Sequence, residues 1–240
     1  NPVMVCQDIT VQLDATGNAS IVAADVDNGS ADACSALTLS IDISAFTCTD
    51  IGANTVTLTG TDADGNSASC TATVTVEDNV NPVMVCQDIT VQLDATGNAS
   101  IVAADVDNGS ADACSALTLS IDISSFTCAD IGANTVTLTG TDADGNSASC
   151  TATVTVEDNI DPVAICQNIT VDLDGFGNAT IVPADVDGGS TDNCTLDNAS
   201  FTVVPNTFTS ANLGVNNVTL TVYDLDGNSN TCVAVVTVQD

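Results

Sequence analysis

Thr55-Val56-Thr57-Leu58-Thr59, the turn Asp62-Ala63-Asp64-Gly65-Asn66 and the run Cys70-Thr71-Ala72-Thr73-Val74-Thr75-Val76 decide the fold. Apolar and hydroxyl side chains alternate along both flanking runs, so each run has one face for a core and one for water. Ala72, Val74 and Val76 share one face and the threonines the other. The Asp, Gly and Asn between the runs are turn chemistry. Toward the N-terminus, Ile9, Val11 and Leu13 alternate with Thr10 and Gln12, and Asp14-Ala15-Thr16-Gly17-Asn18 is a turn cluster. Ile21 to Ala24 reads as a second strand and Leu37 to Ile43 as a third. No segment has a convincing helical period. Turn signals about every ten residues are the pattern of a β-sandwich.

The pattern returns along the chain. Asn1-Pro2-Val3-Met4-Val5-Cys6 recurs as Asn81-Pro82-Val83-Met84-Val85-Cys86 and, altered, as Asp161-Pro162-Val163-Ala164-Ile165-Cys166, a period of 80 residues. Repeats one and two differ only at Ala45/Ser125, Thr49/Ala129 and Val80/Ile160. The third has diverged, with two extra residues between Cys194 and Gly214. The expected fold is all-β: three tandem immunoglobulin-like or fibronectin-III-like β-sandwich domains in a linear array, at 1–80, 81–160 and a divergent 161–240. Because the chain begins and ends on repeat boundaries and carries no signal peptide, we expect an excerpt of a longer array. Eighty residues with few aromatics make a thin core, so covalent staples are expected.

Composition removes several classes of function. The 240 residues include 32 acidic groups and no lysine, arginine or histidine, for a formal net charge of −32. Nucleic-acid binding lacks the cations that neutralise phosphate. A Ser-His-Asp or Cys-His centre lacks its base, and a Schiff-base or phosphate-binding lysine is missing too. Lys–Asn isopeptide cross-links are impossible. A hydrophobic fraction of 44% is too high for a disordered acidic tail. No apolar run is long enough to span a membrane as a helix. No enzymatic activity is expected.

The segment from Cys6-Gln7-Asp8-Ile9-Thr10-Val11 through Asp32-Ala33-Cys34 resembles the hyalin-repeat (HYR) family. So do Gly52-Ala53-Asn54-Thr55-Val56-Thr57-Leu58-Thr59, Asp62-Ala63-Asp64-Gly65-Asn66, Cys70 and Val74-Thr75-Val76-Glu77-Asp78. Tandem copies of this type occur in long secreted or surface proteins of Bacteroidetes-like bacteria, including gliding and adhesion proteins. The resemblance covers the whole chain and implies an immunoglobulin-like or fibronectin-III-like sandwich in an extracellular or cell-surface setting. It specifies no ligand, because family members serve mainly as spacers and adhesive modules. Repeat three departs from the pattern, with Ser210 where Cys48 and Cys128 stand.

Each full repeat has four cysteines, which allow three pairings. In the immunoglobulin-like topology the resemblance implies, the first and last strands lie side by side. That favours Cys6–Cys70 with Cys34–Cys48, and by analogy Cys86–Cys150, Cys114–Cys128 and Cys166–Cys232. Cys194 is then left unpaired, as a buried thiol or an inter-chain bond. Thiolate metal sites are disfavoured, since no CxxC pair or histidine occurs. Disulfides imply an oxidising compartment.

The acids cluster. Asp25, Asp27, Asn28 and Asp32 share one loop; Asp62, Asp64 and Asn66 share a turn; Glu77, Asp78, Asn79 and Asn81 lie at the repeat boundary. In an immunoglobulin-like topology these loops and the entry of the next domain meet at one end. Asp78, Asn79 and Asn81 are thus expected to meet Asp105, Asp107 and Asp142. Likewise Asp158, Asn159 and Asp161 should meet Asp185, Asp187 and Asp224. Carboxylates at such spacing repel by about 1 kcal/mol per pair at 4 Å in water, and by more where solvent is excluded. Hard oxygen donors suit Ca²⁺, which accepts six to eight of them. The arrangement resembles cadherin junctions in architecture. The alternative is that Asp, Asn and Gly serve turns and solubility alone.

Two functions follow. One is a calcium-rigidified, disulfide-stapled extracellular stalk, filament or adhesin shaft, partnered by further copies of the repeat in a longer chain or in a homo-filament. The other is a binding module for carbohydrate, ice or a partner cell, acting through the threonine faces of Thr55, Thr57, Thr59 and Thr61 and of Thr71, Thr73 and Thr75.

Overall fold

The two alternating runs form a long hairpin in each repeat. In repeat one, β1 (Ile9–Gln12), β2 (Asn18–Ser20), β3 (Thr38–Ile41), β4 (Ala45–Thr47), β5 (Gly52–Thr61) and β6 (Ser67–Glu77) follow in order. The computed structural model describes residues 1–240. β5 and β6 pair antiparallel, with Thr55 opposite Thr73, Val56 opposite Ala72 and Thr57 opposite Thr71. The Val56 face is buried and the threonine face is solvated, as a period of two dictates. At the hairpin turn Asp62 Oδ1 accepts from the N–H groups of Asp64 and Asn66 at 3.0 and 2.8 Å, and Gly65 takes φ +86°.

β1 pairs parallel with β6, Ile9 opposite Val74 and Val11 opposite Val76. The sheet order is β1-β6-β5-β3, and β2 and β4 form a second, two-stranded layer. Between the layers lie Leu13, Ile21, Val26, Phe46, Val56, Leu58, Ala72, Val74 and Val76. Phe46 is the one large aromatic of that core, at 1% exposure. Met4 packs over Gly60, where a Cβ would stand 2.6 Å from its sulfur.

Repeats two and three follow the same plan. Repeat two has β7 (Ile89–Gln92), β8 (Asn98–Ser100), β9 (Thr118–Ile121), β10 (Ser125–Thr127), β11 (Gly132–Thr141) and β12 (Ser147–Glu157). Repeat three has β13 (Ile169–Asp172), β14 (Asn178–Thr180), β15 (Thr202–Val204), β16 (Thr207–Thr209), β17 (Gly214–Tyr223) and β18 (Ser229–Gln239). The four-stranded sheets run β7-β12-β11-β9 and β13-β18-β17-β15. The chain is all-β, as three tandem β-sandwich domains.

The second expected strand is displaced. The strand is Asn18–Ser20, and Ala23–Asp25 makes a single 3-10 turn, which becomes a four-residue helix at Ala103–Val106 and Pro183–Val186. Asp25 Oδ2 takes the Val22 N–H at 2.7 Å, closing the turn that ends the strand.

Cys6–Cys70, Cys86–Cys150 and Cys166–Cys232 tie the first segment of each repeat to its last strand, with Cα separations of 5.9, 5.9 and 5.8 Å. Each closes a loop whose denatured-state entropy loss is worth about 4 kcal/mol on the chain-entropy account.

By compactness the chain divides into two units. One is Asn1–Gln87, Val106–Ile121 and Thr137–Thr151; the other is Asp88–Asp105, Asp122–Val136 and Ala152–Asp240. The division runs through repeat two. Each unit holds one boundary between repeats together with the loops that close on it.

Candidate metal centres at the repeat junctions

In the first unit, Cys48 follows β4 in a 3-10 turn whose cap is Thr47. It is bonded to Cys114 of repeat two, 66 residues away, with Cα atoms 5.0 Å apart. In the second unit, Cys128 is bonded to Cys194 of repeat three, again 66 residues away, at 5.5 Å. The free cysteine is the exposed Cys34. The expected bonds Cys34–Cys48 and Cys114–Cys128, and the unpaired Cys194, are therefore corrected. The cysteine after β4 faces the boundary with the next repeat, where it meets that repeat's loop. Gly17 and Gly97, both at φ +73°, line the bonds; a Cβ on Gly97 would stand 2.6 Å from Cys128 Sγ and 2.8 Å from the Asn193 carbonyl oxygen.

Beside each bond lie carboxylates. At the second junction Asp158, Asp192 and Asp224 each place a carboxylate oxygen within 4.8 Å of the others. Asp158 and Asp224 are 3% and 2% exposed. Asn228 ties them, its side-chain amide donating to the Asp158 carbonyl at 2.9 Å and to Asp224 Oδ2 at 2.7 Å. The Asn193 amide donates to both Asp158 carboxylate oxygens, at 3.1 and 3.2 Å. Asp192 Oδ2 accepts the Cys194 N–H at 2.8 Å. Asp192 Oδ1 and Asn193 Oδ1 are buried without a hydrogen-bond partner. Burial, then the charges of Asp158 and Asp224, hold the Asp192 carboxyl above its ordinary value, against the lowering bond from Cys194. Burial also raises Asp226, with Asp224, Asp158 and Asp192 adding to it.

The first junction repeats this more loosely. Asp78, Asp112 and Cys114 approach within 4.8 Å, but the Cys114 sulfur is held in its disulfide and offers no thiolate. Asp78 and Asp142 are buried, at 5% and 7% exposure. The Asn146 amide joins them, donating to the Asp78 carbonyl at 2.9 Å and to Asp142 Oδ2 at 2.8 Å. Burial opposes ionisation of Asp142, but hydrogen bonds from the Asn146 side chain and from the backbone of Asn146, Gly145 and Asp144 outweigh it and lower its pKa.

The other expected ligands point elsewhere. Asp105 Oδ2 and Asp185 Oδ2 accept the N–H groups of Val102 and Val182, each at 2.7 Å. Asp107 and Asp187 accept from Ser110 and Ser190, each N–H at 3.0 Å. These four acids close their own loop. Asn79 and Asn159 donate back to Gln12 and Gln92 at 2.6 Å, and Asn81 and Asp161 are exposed. The residues missed were Asp112 and Asp192. The signal for them is the spacing Asp32-Ala33-Cys34, repeated as Asp112-Ala113-Cys114 and Asp192-Asn193-Cys194: an acid two residues before each junction cysteine.

What the second junction can do chemically follows from its donors. Three carboxylates converge there, two of them buried and the third, Asp192, with an unpartnered oxygen, and the adjacent Asn193 has an unpartnered amide oxygen. No cationic side chain exists to offset them. An all-oxygen set of this kind fits a hard divalent cation.

No family model matches the chain, and no curated protein matches it. Among solved structures it is similar to the I-band fragment I67–I69 of titin, with 12% identity over 100% of this chain and 99% of that one and a TM-score of 0.45. It is similar to mouse cadherin-23 EC22-24, with 14% identity over 99% and 96% and a TM-score of 0.40. A protocadherin gammaB7 EC3-6 cis-dimer structure matches at 16% identity over 98% and 72%, with a TM-score of 0.38.

Proposed function

We propose that this chain is a calcium-rigidified, disulfide-stapled stretch of an extracellular or cell-surface stalk, filament or adhesin shaft, with one sandwich at each of 1–80, 81–160 and 161–240. The observation that carries it is the second junction, where a bond between repeats stands beside three converging carboxylates. Asp158, Asp192 and Asp224 would hold Ca²⁺ there with Asn193 Oδ1; Asp78, Asp112 and Asp142 are the corresponding acids at the first junction. The ion supplies the positive charge that the sequence lacks. The disulfides restrict a linker that would otherwise let the string fold back on itself, and repulsion between acidic domains favours extension. Five disulfides support an oxidising compartment outside the cell. The hyalin-repeat resemblance supports the same setting and a spacer role.

The test is calorimetric Ca²⁺ titration of the decalcified chain, with electron micrographs taken with and without chelator. Saturable binding and chelator-sensitive stiffness are expected. No saturable binding with unchanged stiffness would leave the acids as turn and solubility chemistry.

A further inference from the structure

We propose that Cys34 is the receiving half of a further inter-repeat disulfide. Its partner is a preceding repeat of this same type in the same polypeptide, bearing a cysteine at the position of Cys48. The proposal rests on the tandem-array part of the reading above and not on calcium. Cys34, Cys114 and Cys194 occupy one position in the 80-residue period. The last two are each bonded to a cysteine of the repeat before, at the same separation of 66 residues.

Repeat one carries the whole receiving face. The Cys34 N–H donates to Asp32 Oδ2 at 2.9 Å, as Cys114 does to Asp112 at 2.7 Å and Cys194 to Asp192 at 2.8 Å. Ser35 Oγ accepts the Ala63 N–H at 3.2 Å, as Ser115 does from Ala143 at 3.0 Å. The Asn66 amide donates to Asp62 Oδ2 at 2.8 Å. Its counterparts Asn146 and Asn228 make that bond and a second one, to the carbonyl of Asp78 or Asp158 in the preceding repeat. Asp142 and Asp224 are buried, while Asp62 is half-buried. Cys34 itself is exposed.

The donor side is selective. Repeat three has Ser210 in place of Cys48 and Cys128, and a Cβ at Gly177, the counterpart of Gly17 and Gly97, would meet nothing within 4 Å. A third repeat of this kind therefore cannot bond to Cys34; a first or second repeat can. The reaction joins two thiols with loss of two protons and two electrons. The electrons pass to a protein or small-molecule disulfide, which is reduced to two thiols.

The experiment adds a copy of residues 1–80 carrying Cys34→Ser before Asn1 of the full chain, oxidises it with a glutathione redox pair and labels free thiols under denaturing conditions. No labelled thiol is expected, with peptide mapping finding Cys34 bonded to a Cys48 peptide. An added copy carrying Cys34→Ser with Cys48→Ser is expected to leave one labelled thiol per chain, Cys34. Two labelled thiols beside the copy that keeps its Cys48 would overturn the proposal. Micrographs of the same protein read extension separately, so failure of the bond is distinguishable from failure of the stalk reading.

Discussion

Cys48 and Cys114 belong to different repeats and are bonded to each other, with Cα atoms 5.0 Å apart across a sequence separation of 66 residues. The thin-cored repeats are thereby fastened to one another as well as closed on themselves. The double substitution Cys48→Ser with Cys114→Ser removes the bond without leaving a thiol. It is expected to cost about 2–4 kcal/mol in urea unfolding and to admit protease at Asp78–Asn81. Unchanged stability with an intact linker would show that the bond contributes nothing to folding.

Gly97 offers a sharper test of the second junction. Gly97→Ala puts a methyl against Cys128 Sγ and the Asn193 carbonyl while imposing φ +73° on an alanine. Gly177→Ala imposes φ +77° in open space. The second is expected to cost about 1–2 kcal/mol, and the first to cost more and to lower the yield of the Cys128–Cys194 bond. Equal melting temperatures for the two variants would count against close packing at Gly97.

Among the acids, Asp192 and Asp105 separate the two roles. Asp192→Asn is expected to weaken Ca²⁺ binding at the second junction at least tenfold by calorimetry. Asp105→Ala leaves binding intact and costs about 0.5–2 kcal/mol through loss of the bond to the Val102 N–H. The reverse ranking would return the metal to the loop that the spacing first suggested.

Acid sensitivity follows from the turn carboxylates. Hydrogen bonds from the Thr16 side chain, the Thr16 backbone and the Asn18 backbone lower the pKa of Asp14, and those from Thr96 and Asn98 do the same for Asp94. The Thr57 N–H bond lowers that of Asp42. Since the folded values lie below the unfolded ones, this stabilisation is fully present above the unfolded carboxylate range and is lost as pH falls through the folded values. Melting temperature in chelator should therefore drop below about pH 4. In Asp42→Asn that part of the drop is expected to shrink.

Much of the fold was legible because period two is a direct record of one buried face. Val56, Leu58, Val74 and Val76 announced the long hairpin, and they are among the most deeply buried residues of repeat one. Ile21 to Ala24 misled because a short apolar run carries no period, and the Asp25 side chain that bends it is visible only once its partner is known. The cysteine pairing misled for another reason. In nearly identical repeats a bond from Cys48 to Cys34 and one from Cys48 to Cys114 use the same residue types, and the shorter loop looks the easier to close. Ser210 held the clue. A cysteine lost after the last β4-type strand strands its partner in the same repeat under one scheme, and no cysteine of this chain under the other. At the junctions, the meeting of Asp78 with Asp142 and of Asp158 with Asp224 followed from the immunoglobulin-like topology. Asp112 and Asp192 were missed, because acids that close a loop and acids that converge look alike until the loop is folded.

The Cys6–Cys70 bond has a mechanical consequence when the chain is pulled from its ends. Tension entering at Asn1 crosses from Cys6 to Cys70, a sequence separation of 64, and leaves along β6, so the span between them is shielded. About 16 of each 80 residues remain on the path, and at roughly 3.4 Å each a fully stretched repeat reaches only about 55 Å, against about 270 Å without the bond. The Cys48–Cys114 bridge joins two shielded spans and gives the linker at Asp78–Asn81 a second strand in parallel. Such a chain resists elongation like a rope whose reach is set by its cross-links, even after every sandwich along it has come apart.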